Sequence, residues 1–150
     1  YMASIVAPKF SIISDLPRFN GILEEMLYSY GMEGHCASIR TTGLTVLEAD
    51  EDPERTLHEL AGQCRLAVKE DVAEALLLGC AGLVMFTEEL EKELKLPVFD
   101  GVIAAVKMLE GLISLGKRTS KICTYARPNS KEYVRQADFL PAGRIGGCGG

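Results

Sequence analysis

The sequence lacks any apolar run long enough to cross a membrane. A membrane-spanning helix needs roughly 18 to 20 apolar residues, and every apolar stretch of this chain is broken before that length. The first residues also lack the basic start and the small-residue cleavage pattern of a signal peptide. From these two absences we expect a cytoplasmic protein.

Paired cysteines are missing as well. The five cysteines are odd in number and form no CxxC pair, which is not the pattern of a disulfide framework. We therefore expect reduced thiols, any of which could act as a thiolate. The five positions are Cys36, Cys64, Cys80, Cys123 and Cys148.

The sequence offers little for a metal, a nucleotide phosphate or a nucleic acid. His35 adjoins Cys36, and His58 has Glu54 one helical turn before it, but neither pair extends to the three or four ligands of a zinc site. No GK[ST] follows the glycines around Cys80, so they form no phosphate loop. A net charge of -5 disfavours a nucleic-acid-binding face. We expect no metal and no cofactor, and instead a small-molecule ligand or a protein partner.

The sequence does have alternating strand and helix patterns. Its 150 residues are 47% apolar and 25% charged, the balance of one globular domain. Short apolar runs that end at loop signals predict strands at residues 9–14, 36–41, 75–78 and 96–100. Helical spacing of apolar residues predicts helices at residues 20–30, 53–69, 87–95 and 102–115. This alternation predicts an α/β fold, with a parallel sheet of about four strands between helices in a three-layer αβα arrangement.

The pattern also predicts a division of the chain. Residues 1–7 read as the last turns of a helix. After Gly116 the composition becomes basic and rich in glycine and proline, and the chain ends in GGCGG. These changes predict one α/β domain followed by a basic, Gly-ended arm.

Three predicted strands end at residues that can do chemistry. These ends are Ser14-Asp15, Cys80 and Asp100-Gly101, and ligands of open α/β sheets bind at the carboxyl ends of strands. Asp15 has a structural alternative as the cap of the following helix, and Asp100 has one as the residue that fixes the turn at Gly101.

Cys80 is the strongest of these candidates. Gly79 and Gly82 allow a ligand to approach the backbone closely, and free N–H groups at residues 81–83 could hold an anionic oxygen and favour a thiolate. A free cysteine is also a common core residue. On this reasoning alone, the catalytic and structural interpretations of Cys80 remain equally open.

A series of stretches resembles the hydantoin and allantoin racemases of the aspartate/glutamate racemase superfamily. The stretches that carry the resemblance are LGCAGL at 78–83, LPVFDGV at 96–102, AAVK at 104–107 and LGKRTSK at 115–121. Further matches lie upstream, at MAS (2–4), FSIIS (10–14), LPR (16–18) and YGMEGHC (30–36). The stretches occur in order and cover nearly all of residues 1–128.

The resemblance implies a cofactor-independent racemase that acts at carbon 5 of a hydantoin- or allantoin-type cyclic ureide. In this family two cysteines face each other across the substrate, one removing a proton and the other returning one from the opposite face. Cys80 matches the second of them. The ring carbonyl must be stabilised as it becomes enolate-like. The substrate-binding candidates for that role are Ser14, where relatives often show threonine, and the backbone around Gly79, Ala81 and Gly82.

The resemblance also implies that a part is missing. Family members have two similar α/β domains, and the first supplies the other cysteine. This chain matches the second domain: an α/β half-domain at residues 1–100, followed by a C-terminal helix and a basic, Gly-ended arm at residues 101–150 that in relatives return to pack on the first domain. None of Cys36, Cys64, Cys123 and Cys148 stands where the other cysteine would be. We therefore expect the apolar helix at 102–115 to pack against a partner, which is either another copy of the chain in a homo-oligomer or the absent N-terminal domain.

Two alternative functions remain open. The first is a one-cysteine reaction such as the decarboxylation catalysed by the arylmalonate decarboxylases of the same superfamily, which would explain a lone Cys80. The second is a truncated, non-catalytic domain that folds and self-associates.

Overall fold

The computed structural model describes residues 1–129. One compact unit spans Tyr1–Gly116, and a second begins at Lys117. Within the second unit a 3-10 helix covers Cys123–Tyr125. Cys148 and the last part of the predicted arm lie outside the described residues, and the predicted division after residue 100 remains a prediction.

A four-stranded parallel sheet forms the centre of the first unit. Its strands are β1 (Phe10–Ser14), β2 (Cys36–Thr41), β3 (Ala75–Leu78) and β4 (Val98–Asp100). They lie in the order β2-β1-β3-β4, and every neighbouring pair is parallel. The α/β class and the four-stranded sheet are confirmed.

Helices connect the strands. They are α1 (Met2–Val6), α2 (Asn20–Ser29), α3 (Val46–Glu51), α4 (Pro53–Glu70), α5 (Thr87–Leu94) and α6 (Gly101–Ser114). The four helices predicted at residues 20–30, 53–69, 87–95 and 102–115 are present as α2, α4, α5 and α6, and each end lies within one residue of the predicted end. The sequence prediction missed α3 and the two 3-10 helices at Pro17–Phe19 and Ala81–Phe86.

The helix ends follow from local chemistry. Asp52 caps α4 by accepting a hydrogen bond from the Arg55 N–H at 3.0 Å, and proline occupies the next position. Helix α2 ends at Ser29, and Tyr30 and Gly31 follow it, with a φ of +64° at Gly31. The Met32 N–H donates to the Leu27 carbonyl at 2.8 Å, which is the six-to-one bond of a Schellman motif. Both ends were predicted from the sequence.

Each face of the sheet packs on its own helices, because successive side chains of a strand point to opposite faces. Helices α4 and α5 and the segment Ala81–Phe86 cover one face, with the buried residues Ile13, Leu60, Ala61, Cys64, Ala67, Ala73, Leu76, Leu78, Leu83, Phe86, Leu90 and Val98. Helices α1 and α2 cover the other face, with Ala3, Ala7, Phe10, Ile12 and Ala75. The three-layer αβα arrangement is therefore confirmed.

Helix α6 contributes no buried residue. Its exposed apolar side chains are Val102, Ile103, Val106, Met108, Leu109, Leu112 and Ile113. In residues 1–129, no helix combines the length and apolarity that crossing a membrane requires.

Candidate functional site

The candidate site lies at the carboxyl edge of the sheet, where the ends of β1 and β3 meet. Ile13 pairs with Leu78 in the parallel register. The Gly79 N–H extends this pairing by donating to the Ile13 carbonyl at 2.8 Å. This bond places Cys80, the next residue, beside the Ser14-Asp15 end of β1.

Cys80 stands between two pockets. The first, which we call the α3 pocket, has a volume of about 160 Å³ and is lined by Asp15, Val46, Leu47, Ala49, Asp50, Pro53, Cys80, Gly82, Leu83 and Met85. The second, the α2 pocket, has a volume of about 320 Å³ and is lined by Ser14, Asp15, Phe19, Ile22, Leu23, Gly79, Cys80 and Ala81. Cys80 and Asp15 line both pockets, so a ligand in either one would lie against both side chains. All five residues predicted for the site from the sequence line at least one of them.

Backbone N–H groups lie next to the thiol. Cys80 is the N-cap residue of the 3-10 helix Ala81–Phe86, and the Leu83 N–H donates to the Cys80 carbonyl at 3.1 Å. The N–H groups of Ala81 and Gly82 come before that bond, and the first N–H groups of a helix have no intrahelical acceptor. The N–H groups of Ala81 and Gly82 therefore have no acceptor within this 3-10 helix.

Gly79 allows the ends of β1 and β3 to approach closely. A Cβ atom at this position would lie 3.1 Å from Ile12 Cγ2, 3.2 Å from Ser14 Cβ and 3.3 Å from Ser14 Oγ. A methyl group therefore fits only if the end of β1 moves, and β1 carries Ser14.

We predict that Gly79→Ala lowers the free energy of unfolding by about 1–3 kcal/mol, the usual cost of overpacking. Urea denaturation measures this change. Gly62→Ala is the matched control, because a Cβ at Gly62 in helix α4 meets no atom within 4 Å. Alanine is a better helix former than glycine, so the control should be neutral or stabilising. Equal stability of both variants would contradict the predicted crowding.

Ser14 and Asp15 form one hydrogen-bonded unit. Ser14 is 2% exposed, and its hydroxyl donates to Asp15 Oδ1 at 3.1 Å. The Leu16 N–H donates to the same oxygen at 2.9 Å. Since the Ser14 proton is used within the protein, the hydroxyl offers lone pairs to a ligand and no free proton.

The alternative interpretation of Asp15 as a helix cap is wrong. The 3-10 helix that follows has no side-chain cap, because the Asp15 carboxyl bonds to the N–H directly after it. The structural interpretation of Asp100 is confirmed. Its carboxyl accepts the N–H groups of Val102 and Ile103 at 2.8 Å each, and it lines neither the α2 nor the α3 pocket.

Cys64 and Cys36, the other cysteines of the first unit, lie away from the two pockets. Cys64 is fully buried on α4, and burial raises the pKa of its thiol to about 12. Cys36 begins β2 at the opposite edge of the sheet, and burial also raises its pKa. Cys123 belongs to the second unit. Within the first unit, Cys80 alone among the cysteines lines either pocket.

We predict that iodoacetamide alkylates Cys80 much faster than Cys64 in the folded chain. Alkylation requires the thiolate, and raising the pKa of Cys64 from 9.0 to about 12 lowers its thiolate fraction about a thousandfold. Peptide mass spectrometry after timed labelling measures both rates, and labelling in urea is the control in which the two rates should converge. Equal labelling of the folded chain would show that the core around Cys64 opens.

In the described part of the chain, no three histidine, cysteine or acidic side chains lie close enough together to hold a metal ion. The His35 ring is bonded through Nδ1 to the Pro8 carbonyl at 3.1 Å.

Helix α3 is a wall of the site that was not expected from the sequence. Helix α3 supplies Val46, Leu47 and Asp50 to the α3 pocket. A signal was available, because Thr45 and Glu48 form a capping box in which each side chain accepts the other residue's backbone N–H. Ser or Thr followed three residues later by Glu marks a helix start even when the helix is short.

Comparisons with known proteins agree with the resemblance seen in the sequence. The family model described as Asp/Glu/Hydantoin racemase matches residues 1–109. A hydantoin racemase of Pseudomonas sp. (strain NS671) is 49% identical over 134 residues, covering 89% of this chain and 54% of that protein. A hydantoin racemase of Rhizobium meliloti is 44% identical over 130 residues, covering 87% of this chain and 54% of that protein.

Solved structures of allantoin racemases are also similar to this chain. The allantoin racemase from Klebsiella pneumoniae superposes with a TM-score of 0.81 at 40% identity, covering 90% of this chain and 55% of that one. The allantoin racemase from Pseudomonas fluorescens superposes with a TM-score of 0.77 at 38% identity, covering 89% of this chain and 57% of that one. The chain thus spans about half the length of the curated relatives it matches.

Proposed function

This chain belongs to the Asp/Glu/hydantoin racemase family, and from that membership we propose that it inverts carbon 5 of a hydantoin- or allantoin-type cyclic ureide with Cys80 as one of two acid–base groups. The observation that carries the proposal is the position of Cys80. This residue lies at the carboxyl edge of the sheet, lines both pockets and directly precedes Ala81 and Gly82 at the start of a 3-10 helix.

The proposed chemistry needs no redox step. The Cys80 thiolate removes the proton from carbon 5, and the electron pair of that C–H bond moves onto the neighbouring carbon 4 carbonyl oxygen, giving an enolate and a neutral thiol. A second acid on the opposite face protonates carbon 5, the carbonyl forms again, and the configuration is inverted. In the reverse direction, Cys80 is the acid. The N–H groups of Ala81 and Gly82 stabilise the enolate oxygen, as oxyanion-hole donors do.

The charge of the pocket walls disfavours an anionic substrate. Among the residues that line the two pockets, Asp15 and Asp50 are acidic and none is basic. The N–H groups of a ureide ring can donate hydrogen bonds to these carboxylates. The two carboxylates of an arylmalonate would instead be repelled by them. The pocket chemistry therefore supports racemisation of a ureide over the decarboxylase alternative.

We propose that the second acid–base group comes from outside the described residues. Within them, Cys80 is the one cysteine that lines either pocket, and inversion by two groups needs one on each side of carbon 5. A further domain or another polypeptide chain would supply the opposing group.

The test is solvent deuterium exchange at carbon 5 of one enantiomer of 5-benzylhydantoin. Proton NMR follows loss of the carbon 5 signal in D₂O, and polarimetry follows loss of optical rotation in the same sample. Exchange and loss of rotation above the uncatalysed rate support racemisation. Exchange without loss of rotation would show that Cys80 works without an opposing acid. If neither rises above the uncatalysed rate, the chain on its own is not a racemase, and the non-catalytic alternative is favoured.

We also propose that α6 covers its apolar side chains against a second copy of this chain. A contiguous apolar helix face left in water favours association. Sedimentation velocity at tens of micromolar should show a dimer or larger species, and Leu109→Glu, at a position 59% exposed, should shift the distribution towards monomer. A monomeric wild-type chain at that concentration would contradict the proposal.

A further inference from the structure

Asp15 has a largely buried carboxyl group, and one of its two oxygens has no hydrogen-bond partner in the described residues. The residue is 8% exposed. Its Oδ1 accepts two hydrogen bonds, from the Ser14 hydroxyl and the Leu16 N–H. Within residues 1–129, Oδ2 has no hydrogen-bond partner and no salt bridge. It is not sealed in the core, and the residue lines both pockets beside Cys80.

Asp15 Oδ2 has no partner in the described residues but stays accessible, so a ligand that excludes water from this oxygen must supply a donor in its place, or the carboxylate loses a hydrogen bond. A ligand N–H group in the pocket would supply the missing partner. The walls of both pockets carry no basic side chain that could pair with this oxygen, so the donor comes from the ligand.

The carboxyl group is also held in place. The Asp15 carbonyl accepts the Gly43 N–H at 2.8 Å, and the Ser14 carbonyl accepts the Thr42 N–H at 3.0 Å. Together with the two bonds to Oδ1, these contacts fix the end of β1 against the loop after β2. Such fixed acceptors can orient a ligand at low entropic cost.

We propose that Asp15 Oδ2 accepts a hydrogen bond from the N1–H group of the ureide ring and so orients carbon 5 towards Cys80. This inference rests on the proposed function. In a hydantoin ring, carbon 5 is bonded to N1 on one side and to the carbon 4 carbonyl on the other. With N1–H on Asp15 and the carbon 4 oxygen on the N–H groups of Ala81 and Gly82, carbon 5 lies between the two anchors.

The charge of Asp15 explains why N1, and not the enolate oxygen, takes this place. A carboxylate beside a developing enolate oxygen would raise the energy of the transition state through like-charge repulsion. The same carboxylate on an N–H group forms a charge-assisted hydrogen bond. Ser14 is then a positioning residue, because its hydroxyl holds Oδ1 and leaves Oδ2 for the ring.

The test compares 5-benzylhydantoin with its 1-methyl derivative, which has no N1–H. NMR titration of the whole chain gives a Kd for each compound and needs no turnover. The methyl derivative cannot form the hydrogen bond to the charged carboxylate. Wild type should therefore bind the parent compound about ten- to hundredfold more tightly than the methyl derivative.

Asp15→Asn is the informative variant. Its amide oxygen can keep the two bonds at the Oδ1 position, since both partners there are donors. The amide NH₂ then stands where Oδ2 was and meets the ring N–H donor to donor. We expect the Kd of the parent compound to rise about tenfold or more, while the Kd of the methyl derivative changes much less. Glu51→Gln removes an exposed charge at the end of α3 without lining either pocket, and it should keep the wild-type preference.

The outcomes separate this inference from the proposed function. Equal weakening of both compounds by Asp15→Asn, or a wild-type chain that binds both equally or neither, would overturn the role of Asp15. A second outcome is that wild type prefers the parent compound, Asp15→Asn loses this preference, and the wild-type chain shows no deuterium exchange. That outcome would support the contact with Asp15 and contradict the proposed racemase activity. Circular dichroism of Asp15→Asn checks that the variant is folded.

Discussion

Replacing Cys80 with serine should lower the rate of deuterium exchange at carbon 5 by about 10²- to 10⁴-fold, the usual contribution of a positioned acid–base group. A serine hydroxyl fills nearly the same space as the thiol, but it ionises far less readily near neutral pH. The backbone donors at Ala81 and Gly82 remain in the variant, so the ligand should still bind. NMR titration and exchange measured on the same sample separate loss of binding from loss of proton transfer.

Cys36→Ser is the matched control for this substitution. Cys36 is a half-buried thiol at the start of β2, at the edge of the sheet opposite Cys80, and it lines neither the α2 nor the α3 pocket. Its exchange rate should equal that of wild type. Exchange that survives in Cys80→Ser and disappears in Cys36→Ser would place the active thiol at the wrong edge of the sheet and refute the proposed site.

Replacing Leu60 with alanine should lower the free energy of unfolding by about 2–5 kcal/mol, as large-to-small substitutions in a packed core do. Leu60 is fully buried on α4 and belongs to the cluster that joins this helix to Ile13 and Leu76 of the sheet. The loss combines the hydrophobic transfer of the missing carbon atoms with the cavity that they leave. Urea denaturation followed by circular dichroism gives the change.

Leu66→Ala is the control on the same helix. Leu66 is 36% exposed and does not belong to either buried cluster, so its truncation should cost clearly less than that of Leu60. Alanine has the highest helix propensity, and neither substitution should break α4 itself. Equal costs at the two positions would mean that α4 does not pack on the sheet through the face containing Leu60.

The regular elements were predictable because their signals are local. The apolar run at residues 75–78 is flanked by a glycine and reads as a buried parallel strand. Asp52 and Pro53 mark the start of α4, and Gly31 marks the end of α2, since each controls nearby backbone groups. Such signals require only the neighbouring residues, and the structure confirms them.

The surroundings of Cys80 were only partly predictable. The sequence placed Ser14 and Cys80 at strand ends, and the parallel register then brings those ends together. It did not reveal that the Ser14 hydroxyl is occupied by Asp15, because a serine before an aspartate can bond in several ways. The capping box of Thr45 and Glu48 gave a local signal for α3, but the role of α3 as a pocket wall depends on packing between segments far apart in the chain.

The crossing of the chain between β1 and β3 has a consequence for folding. Asp15 and Cys80 are separated in the chain by α2, β2, α3 and α4 and become neighbours only when β3 pairs with β1, so the unfolded chain contains no binding site. A ligand that fills this site binds the folded form alone, and a hundredfold excess over its Kd adds about 2.7 kcal/mol to the free energy of unfolding. Thermal stability therefore reports occupancy of the pocket, and it does so even for compounds that never react.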